Sequence, residues 1–139
     1  MAFAQQATTV IEPDLKYGRP SKEELALTAY APDTTATAVY LFHKGKSGFT
    51  YDDGFRLFTE HWVRIKILKP QGVSHADVTI PYYAPSDRDK EKDGILNLDG
   101  CSCNLENGKM TKTRLKRELV SNERVNTYYK VLKFSLPTV

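Results

Sequence analysis

Cys101 and Cys103 are the two cysteines of the chain, and their type and spacing are the first to suggest chemistry. A pair of thiols can form a disulfide, bind a soft metal or supply a nucleophile. In an extended run, however, residues two apart share a face, with Cα atoms about 6.6 Å apart and parallel Cβ bonds. Because this separation is near the upper limit for a disulfide, the spacing predicts two unbridged strand cysteines.

Neither a metal site nor a thiol nucleophile gains support from the rest of the sequence. A metal site would need two further soft ligands, and the chain has no other cysteine. His43, His61 and His75 lie in separate segments, without the spacing of metal ligands. A thiol enzyme would need His61 or His75 beside a sulfur together with an orienting carboxylate, which the sequence neither supports nor excludes. We therefore predict structural cysteines, with no catalytic residue, no metal and no cofactor.

A mixed aromatic and charged face on a long predicted strand is the better place to look for binding. Alternation places two aromatic residues on the side of this strand that also carries Glu60 and two arginines. Rings flanked by charges stack on sugars or on protein surfaces. Such a face is also typical of a strand covered by a helix or a neighbouring domain, and this packing interpretation is favoured. The predicted surface-binding residues, for a protein or glycan ligand, are Phe58, Trp62, Arg56 and Arg64.

The distribution of charge argues against a nucleic-acid ligand. The chain of 139 residues has 20 basic and 17 acidic residues, giving a formal charge of +3. Its densest basic patch lies within residues 112–117, but residues 87–93 read DRDKEKD, whereas a nucleic-acid-binding domain shows an uninterrupted basic face. No stretch reaches the roughly 18 to 20 apolar residues of a membrane span. We predict no nucleic-acid partner and no membrane span.

The N-terminus suggests export. Ala2 and Ala4 form the small-x-small pattern that ends a signal peptide, although the charged and apolar regions that normally precede it are missing. We expect an exported protein, periplasmic or at the cell surface. Residues 1–20 are predicted to be a polar lead-in arm, comprising the tail of the export signal and a linker.

The elements that position these residues are mainly strands. Ser21 to Glu24 fit a capping box, which predicts one short helix near residues 21–29. Beyond Ala36 the periodicity indicates strands, and Asn107-Gly108 is the strongest hairpin signal in the chain. The predicted strands are 38–43, 49–51, 55–68, 73–80 and 126–136, with further strands on each side of Asn107-Gly108, turns at 44–48, 52–54 and 70–72, and a polar loop at 84–94.

Strands joined by short turns need a second layer to cover their apolar face. The sequence therefore predicts a mainly β domain over residues 21–139, an antiparallel β-sandwich with one short N-terminal helix. Val63, Ile65 and Ile67 are predicted to face its core, since each is β-branched and alternates with charged residues. On this assignment Ile65→Ala costs about 2 to 5 kcal/mol, and Arg64→Ala much less.

Several segments together resemble a known family. These are residues 36–41, Asp53-Gly54 leading into residues 64–68, residues 104–109, and the ending at residues 133–137. They resemble the N-terminal domain of unknown function that precedes transglutaminase-like cores in exported bacterial proteins. The likeness spans roughly residues 20–139. It implies a β-sandwich module whose own function is not established, while the Cys-His-Asp machinery lies in a separate domain downstream. No catalytic residue therefore carries over to this chain.

The expected function is that of a non-catalytic accessory or interaction β-domain of an exported transglutaminase-like or protease-like protein, with a downstream or separate catalytic domain as its partner. Two alternatives stay open: a carbohydrate-binding module using Phe58 and Trp62, and a thiol enzyme using Cys101 or Cys103. In the family, further strands follow Val139, which implies a domain truncated at its C-terminus. The strand ending at Leu136 is then expected to expose an edge and to self-associate or take a strand from a partner.

Overall fold

The computed structural model describes residues 16–51, 53–85 and 93–139. Strands make up 49% of the structure and helices 13%, and every strand pair is antiparallel. The predicted fold class, mainly β and antiparallel with one short helix, is confirmed. The strands are divided among three small sheets, an arrangement consistent with a β-sandwich-like fold.

The elements follow one another in a simple order. The bounds are α1 (Lys22–Ala26), β1 (Ala38–Tyr51), β2 (Phe55–Ile67), the 3-10 helix η1 (Pro70–Ala76), β3 (Asp77–Tyr83), β4 (Cys101–Glu106), β5 (Lys109–Arg114), the 3-10 helix η2 (Arg117–Leu119), β6 (Ser121–Arg124) and β7 (Tyr129–Ser135). Three antiparallel sheets are formed by β1–β2, by β3-β7-β6 with β7 in the centre, and by β4–β5.

The predicted capping box at the start of α1 is confirmed. The Glu24 backbone N–H donates to Ser21 Oγ at 3.0 Å, and the Ser21 N–H donates to Glu24 Oε2 at 2.7 Å. The helix ends at Ala26, before the expected position near residue 29, because Leu27 is already extended. None of its residues is fully buried, so the cap and the contacts of Glu24 with β2 hold this short helix in place.

The turn predicted at residues 44–48 is wrong, since β1 is one continuous strand of 14 residues. Gly45 and Gly48 pair with His61 and Phe58 of β2. The Phe58 ring covers Gly48 so closely that an added Cβ would lie 2.9 Å from the ring. An aromatic ring packed across a glycine compensates for the missing side chain, which allows the ladder to continue.

The predicted core positions of β2 are only partly buried. Val63 is 47% exposed, so its assignment to the core is wrong. Ile65 and Ile67 are half-buried, but so are Arg64 and Lys66 on the opposite side of the strand. The side of β2 that carries Arg64 and Lys66 is covered by α1, since Glu24 binds Arg64 and the Leu25 carbonyl accepts a hydrogen bond from Lys66 Nζ at 2.7 Å.

The C-terminal strand lies in the interior of its sheet, which corrects the expectation of an exposed edge. β7 pairs with β3 along its whole length and with β6 over residues 130–133, so Leu132 lies between Ile80 and Asn122. Self-association through β7 therefore loses its structural basis. Leu132 is 9% exposed and is among the few large side chains buried in the described part of the chain.

The other strand predictions differ mainly at their ends. β3 starts at Asp77 instead of residue 73, because the preceding residues form η1. β7 starts at Tyr129 instead of residue 126, and β6, whose four residues are all exposed, was not predicted. The hairpin at Asn107-Gly108 is confirmed, with φ of 50° and 76° at these residues. The predicted loop at 84–94 lies mostly outside the described residues.

Candidate interaction surface

The β1–β2 hairpin presents most of its surface to solvent. Between Gly45 and Trp62, nearly every described residue is exposed, and only Gly48, Gly54 and Phe58 are half-buried. The exposed part includes large apolar side chains as well as polar ones. The cross-strand register decides which of these side chains share a face.

Among the residues that the structure describes, one face of the hairpin carries no Asp, Glu, Lys or Arg, and we refer to it as the uncharged face. Ring contacts run along it, since Tyr40 and His43 have centroids 6.0 Å apart, and His43 and His61 have centroids 5.9 Å apart. From the tip towards the base, its cross-strand pairs are Tyr51–Phe55, Phe49–Leu57, Ser47–Thr59, Gly45–His61, His43–Val63 and Tyr40–Ile65.

The distal end of the uncharged face is a cluster of exposed apolar side chains. Phe49 is 72% exposed, Tyr51 74%, Phe55 80% and Leu57 67%. Tyr51 and Phe55 contact each other edge to face, with centroids 5.2 Å apart. Single exposed apolar residues are ordinary, but a contiguous patch of them marks an interaction site. These four side chains therefore define the strongest candidate surface.

The opposite face of the hairpin, which we call the charged face, holds the residues predicted from the sequence. Arg56 is exposed opposite Thr50, and Trp62 is 39% exposed opposite Lys44. Phe58 lies between them along the strand but is half-buried over Gly48. Arg56, Phe58 and Trp62 thus share one face, as predicted.

Arg64, the fourth predicted binding residue, lies in a structural ion pair. Its Nη1 donates to both carboxylate oxygens of Glu24, at 2.9 and 3.0 Å, and its Nη2 donates to the Lys16 carbonyl at 2.9 Å. The guanidinium also lies 4.9 Å from the centroid of the Phe42 ring. The side chains of Arg64 and Glu24 are only 14% and 12% exposed. Arg64 therefore fastens α1 to β2 and is not available to a ligand, which corrects its predicted role.

Both cysteines are free and half-buried on β4, as the sequence predicted. They share the face of the strand that approaches the N-terminal segment, where an added Cβ on Gly18 would lie 3.5 Å from Cys101 Sγ. Burial raises the pKa of the Cys103 thiol, and the neighbouring Cys101 raises it further. A thiol that stays protonated at neutral pH is a poor nucleophile. Within the described residues, no group of three or more His, Cys, Asp or Glu side chains could hold a metal ion.

The end of the predicted lead-in arm packs on the domain, which the sequence did not indicate. The Tyr17 hydroxyl donates to Asp99 Oδ1 at 2.8 Å, and the Arg114 guanidinium lies 6.0 Å from the centre of the Tyr17 ring. Burial, followed by the hydrogen bond to Asp99, raises the pKa of Tyr17. Residues 16–18 are therefore attached to β4, β5 and Arg64 and take part in the fold.

The apolar cluster of the uncharged face was missed because the sequence reasoning ended a strand at residue 43. The signal was present in the sequence, however, since residues 49, 51, 55 and 57 are all apolar or aromatic, are all odd-numbered, and lie two on each side of the turn at Asp53-Gly54. Asp53 and Gly54 both have positive φ, at 54° and 123°. A hairpin folded about this turn brings all four side chains to one face, provided that β1 continues through its glycines.

The chain was compared with protein-family models, curated proteins and solved structures, and none of them matches it. In the part that the structure describes, no helix is long and apolar enough to cross a membrane. The description of the surface therefore rests on the geometry of the chain itself.

Proposed function

We propose that this chain is a non-catalytic accessory domain that acts by protein–protein contact, carried by an exported bacterial protein of the transglutaminase-like or protease-like kind. The observation that carries the contact function is the uncharged face, with four neighbouring apolar side chains that are 67% to 80% exposed. The association with a transglutaminase-like core and the export rest on the sequence resemblance and on the N-terminal pattern.

The physical argument starts from the hairpin. A two-stranded sheet is at best marginally stable alone in water, and a sheet face rich in apolar residues needs a second layer. The core of a protein interface is depleted of charged residues and enriched in Tyr and Phe. The uncharged face has both properties, whereas the charged face of the same hairpin has Lys44, Lys46, Arg56 and Glu60.

The cysteines support a non-catalytic domain. A thiol enzyme needs a thiolate at neutral pH, but burial and the neighbouring thiol raise the pKa of Cys103. Of the two histidines considered for a thiol enzyme, His61 lies on the uncharged face of the hairpin and His75 lies in η1, while Cys101 and Cys103 lie on β4. We therefore assign both cysteines a packing role.

Side-chain footprinting in the full exported protein tests the proposed contact. Hydroxyl radicals oxidise exposed aromatic and aliphatic side chains, so the reactivity of Phe49, Tyr51, Phe55 and Leu57 reports whether the uncharged face is covered. We expect these side chains to react several-fold more slowly in the native exported protein than in a dilute solution of this chain.

Exposed aromatic residues outside the uncharged face provide the matched control. Tyr128 is 57% exposed and Tyr83 39%, and their reactivity should change much less between the two samples. Equal reactivity of the uncharged face in both samples would refute the proposed contact. Reading the coding frame beyond Val139 tests the predicted context separately, because the proposal requires a transglutaminase-like or protease-like domain there or in a partner protein.

A glycan-binding module is the second candidate, and the exposure of Trp62 favours it. Trp62 is 39% exposed beside Lys44, so its ring is accessible for stacking on a sugar. Phe58 offers less surface because it packs on Gly48. Binding on a glycan array that is lost in Trp62→Ala, but kept in Phe55→Ala, would support this candidate over the protein contact.

A further inference from the structure

We propose that the partner of the uncharged face is a second copy of this domain, packed face to face about a two-fold axis. This inference rests on the proposed function, because it names the partner of the same surface. Three properties of the face support it: the absence of charge, the exposed area, and the order of its side chains from tip to base.

The absence of charge removes the usual obstacle to self-association. When a surface meets an identical copy of itself, any charge near the two-fold axis meets a like charge, which is unfavourable. The uncharged face has no Asp, Glu, Lys or Arg between Tyr40 and Val63. Among the described residues of this part of the hairpin, the charged side chains lie on the charged face, apart from Asp53 in the turn, so two copies can approach without repulsion.

The exposed area is close to that of one side of a standard protein interface. Beyond the four distal side chains, Tyr40 is 58% exposed and Val63 47%. At about 150 to 250 Å² for each large side chain, the six together expose on the order of 700 Å². A standard interface buries roughly 800 Å² on each partner.

Apolar pairs lie at both ends of the face, and the pairs that contain hydroxyl groups, glycine or histidine lie between them. From the tip it runs through two apolar pairs (Tyr51–Phe55 and Phe49–Leu57), the hydroxyl pair Ser47–Thr59, the Gly45–His61 pair, the His43–Val63 pair and the apolar pair Tyr40–Ile65. Ser47 and Thr59 hydrogen-bond to each other at 3.0 Å and so need no partner across the interface.

A two-fold axis at the Gly45–His61 pair would place the apolar tip of one hairpin over the apolar base of the other. Phe49 and Leu57 would then pack on Tyr40 and Ile65 of the second copy, at the roughly 10 Å spacing of stacked sheets. An isologous interface requires this self-complementarity. Gly45, which has no side chain, would allow the two sheets to approach at the axis.

Light scattering or sedimentation of the chain over a concentration series tests the dimer. The wild-type chain is expected to shift from monomer to dimer as its concentration rises, and Phe55→Glu is expected to remain monomeric because it places a charge in the interface. Thr50→Glu is the matched control, since it places the same charge on the charged face, opposite Arg56. Circular dichroism confirms that each variant is folded.

Cysteine cross-linking tests the position of the axis. In a Cys101→Ser/Cys103→Ser background, a short bifunctional thiol reagent should cross-link two copies of Gly45→Cys, whereas Lys46→Cys, which points away from the interface on the charged face, should not be cross-linked. A chain that is monomeric at every concentration, or a dimer equally sensitive to Thr50→Glu and Phe55→Glu, would overturn the inference. The footprint of the full exported protein reports whether the face is covered by any partner. A monomeric chain with a protected face in the full protein would therefore overturn the dimer and leave the proposed function standing.

Discussion

At the scale of single residues, Arg56 and Arg64 show how two like side chains on one strand face acquire different roles. Arg56 is exposed near the tip of the hairpin, while Arg64 is enclosed by α1, Phe42 and the backbone of Lys16. Both residues are arginines at even-numbered positions of β2, so strand alternation alone places them on the same face. Arg64 is enclosed and Arg56 is exposed because α1 packs beside Arg64, and the sequence does not specify where α1 packs.

Arg64→Ala should therefore be strongly destabilising, contrary to the expectation from the sequence. Removing the arginine leaves the largely buried Glu24 carboxylate without its partner, which we expect to cost about 3 kcal/mol. Arg56→Ala, the control on the same face, should change the free energy of unfolding by less than about 0.5 kcal/mol. Urea denaturation measures both, and equal midpoints would show that the ion pair with Glu24 contributes no stability.

Alkylation of Cys103 should be slow at neutral pH. The pKa of Cys103 is raised, so its thiolate fraction should increase only at pH values above the ordinary thiol pKa of about 8.5. The rate of its reaction with iodoacetamide should follow the thiolate fraction. In Cys101→Ser the rate profile of Cys103 should shift to lower pH, because the neighbouring thiol no longer raises its pKa. A profile centred below the ordinary thiol pKa would contradict this account and favour the thiol enzyme.

At the scale of elements, local signals were predicted well and pairing between distant segments was not. The capping box at Ser21 and the turn at Asn107-Gly108 depend on neighbouring residues, so the sequence alone specifies them. The continuation of β1 across Gly45 and Gly48 depends on the His61 and Phe58 rings of β2, which lie opposite these glycines. The central place of β7 depends on β3 and β6, which lie elsewhere in the chain.

The junction between η1 and β1 provides a test at this scale. Gly72 is buried in η1, and an added Cβ would collide with the backbone carbonyl of Thr37. That carbonyl also accepts hydrogen bonds from the N–H groups of Leu68, at 2.8 Å, and Lys69, at 3.1 Å, so it cannot move without breaking them.

Gly72→Ala should consequently cost at least about 2 kcal/mol, in the range of overpacked cores. Gly94→Ala is the matched control, because an added Cβ there meets nothing within 4 Å. Thermal melting should show a clearly lower midpoint for Gly72→Ala alone. Similar midpoints for the two variants would mean that η1 does not pack on Thr37 in solution.

At the scale of the whole molecule, the domain divides its apolar side chains between two uses. Leu132 is buried within the β3-β7-β6 sheet, whereas the hairpin exposes Phe49, Tyr51, Phe55 and Leu57 to solvent. The fold class followed from composition and alternation. The separation of an apolar surface from the core did not, because it depends on which faces the sheets leave uncovered.

The central claim is that the uncharged face serves contact with a partner and not the folding of this chain. Chemical denaturation of Leu57→Ser and Leu132→Ala, in dilute solution where the chain is monomeric, tests it most directly. Leu57 is 67% exposed, so its replacement should cost no more than about 1 kcal/mol, the scale of a cross-strand pair. Leu132 is 9% exposed, and its truncation should cost about 2 to 5 kcal/mol. A loss for Leu57→Ser as large as that for Leu132→Ala would show that the uncharged face belongs to the core of the chain, and would contradict the account.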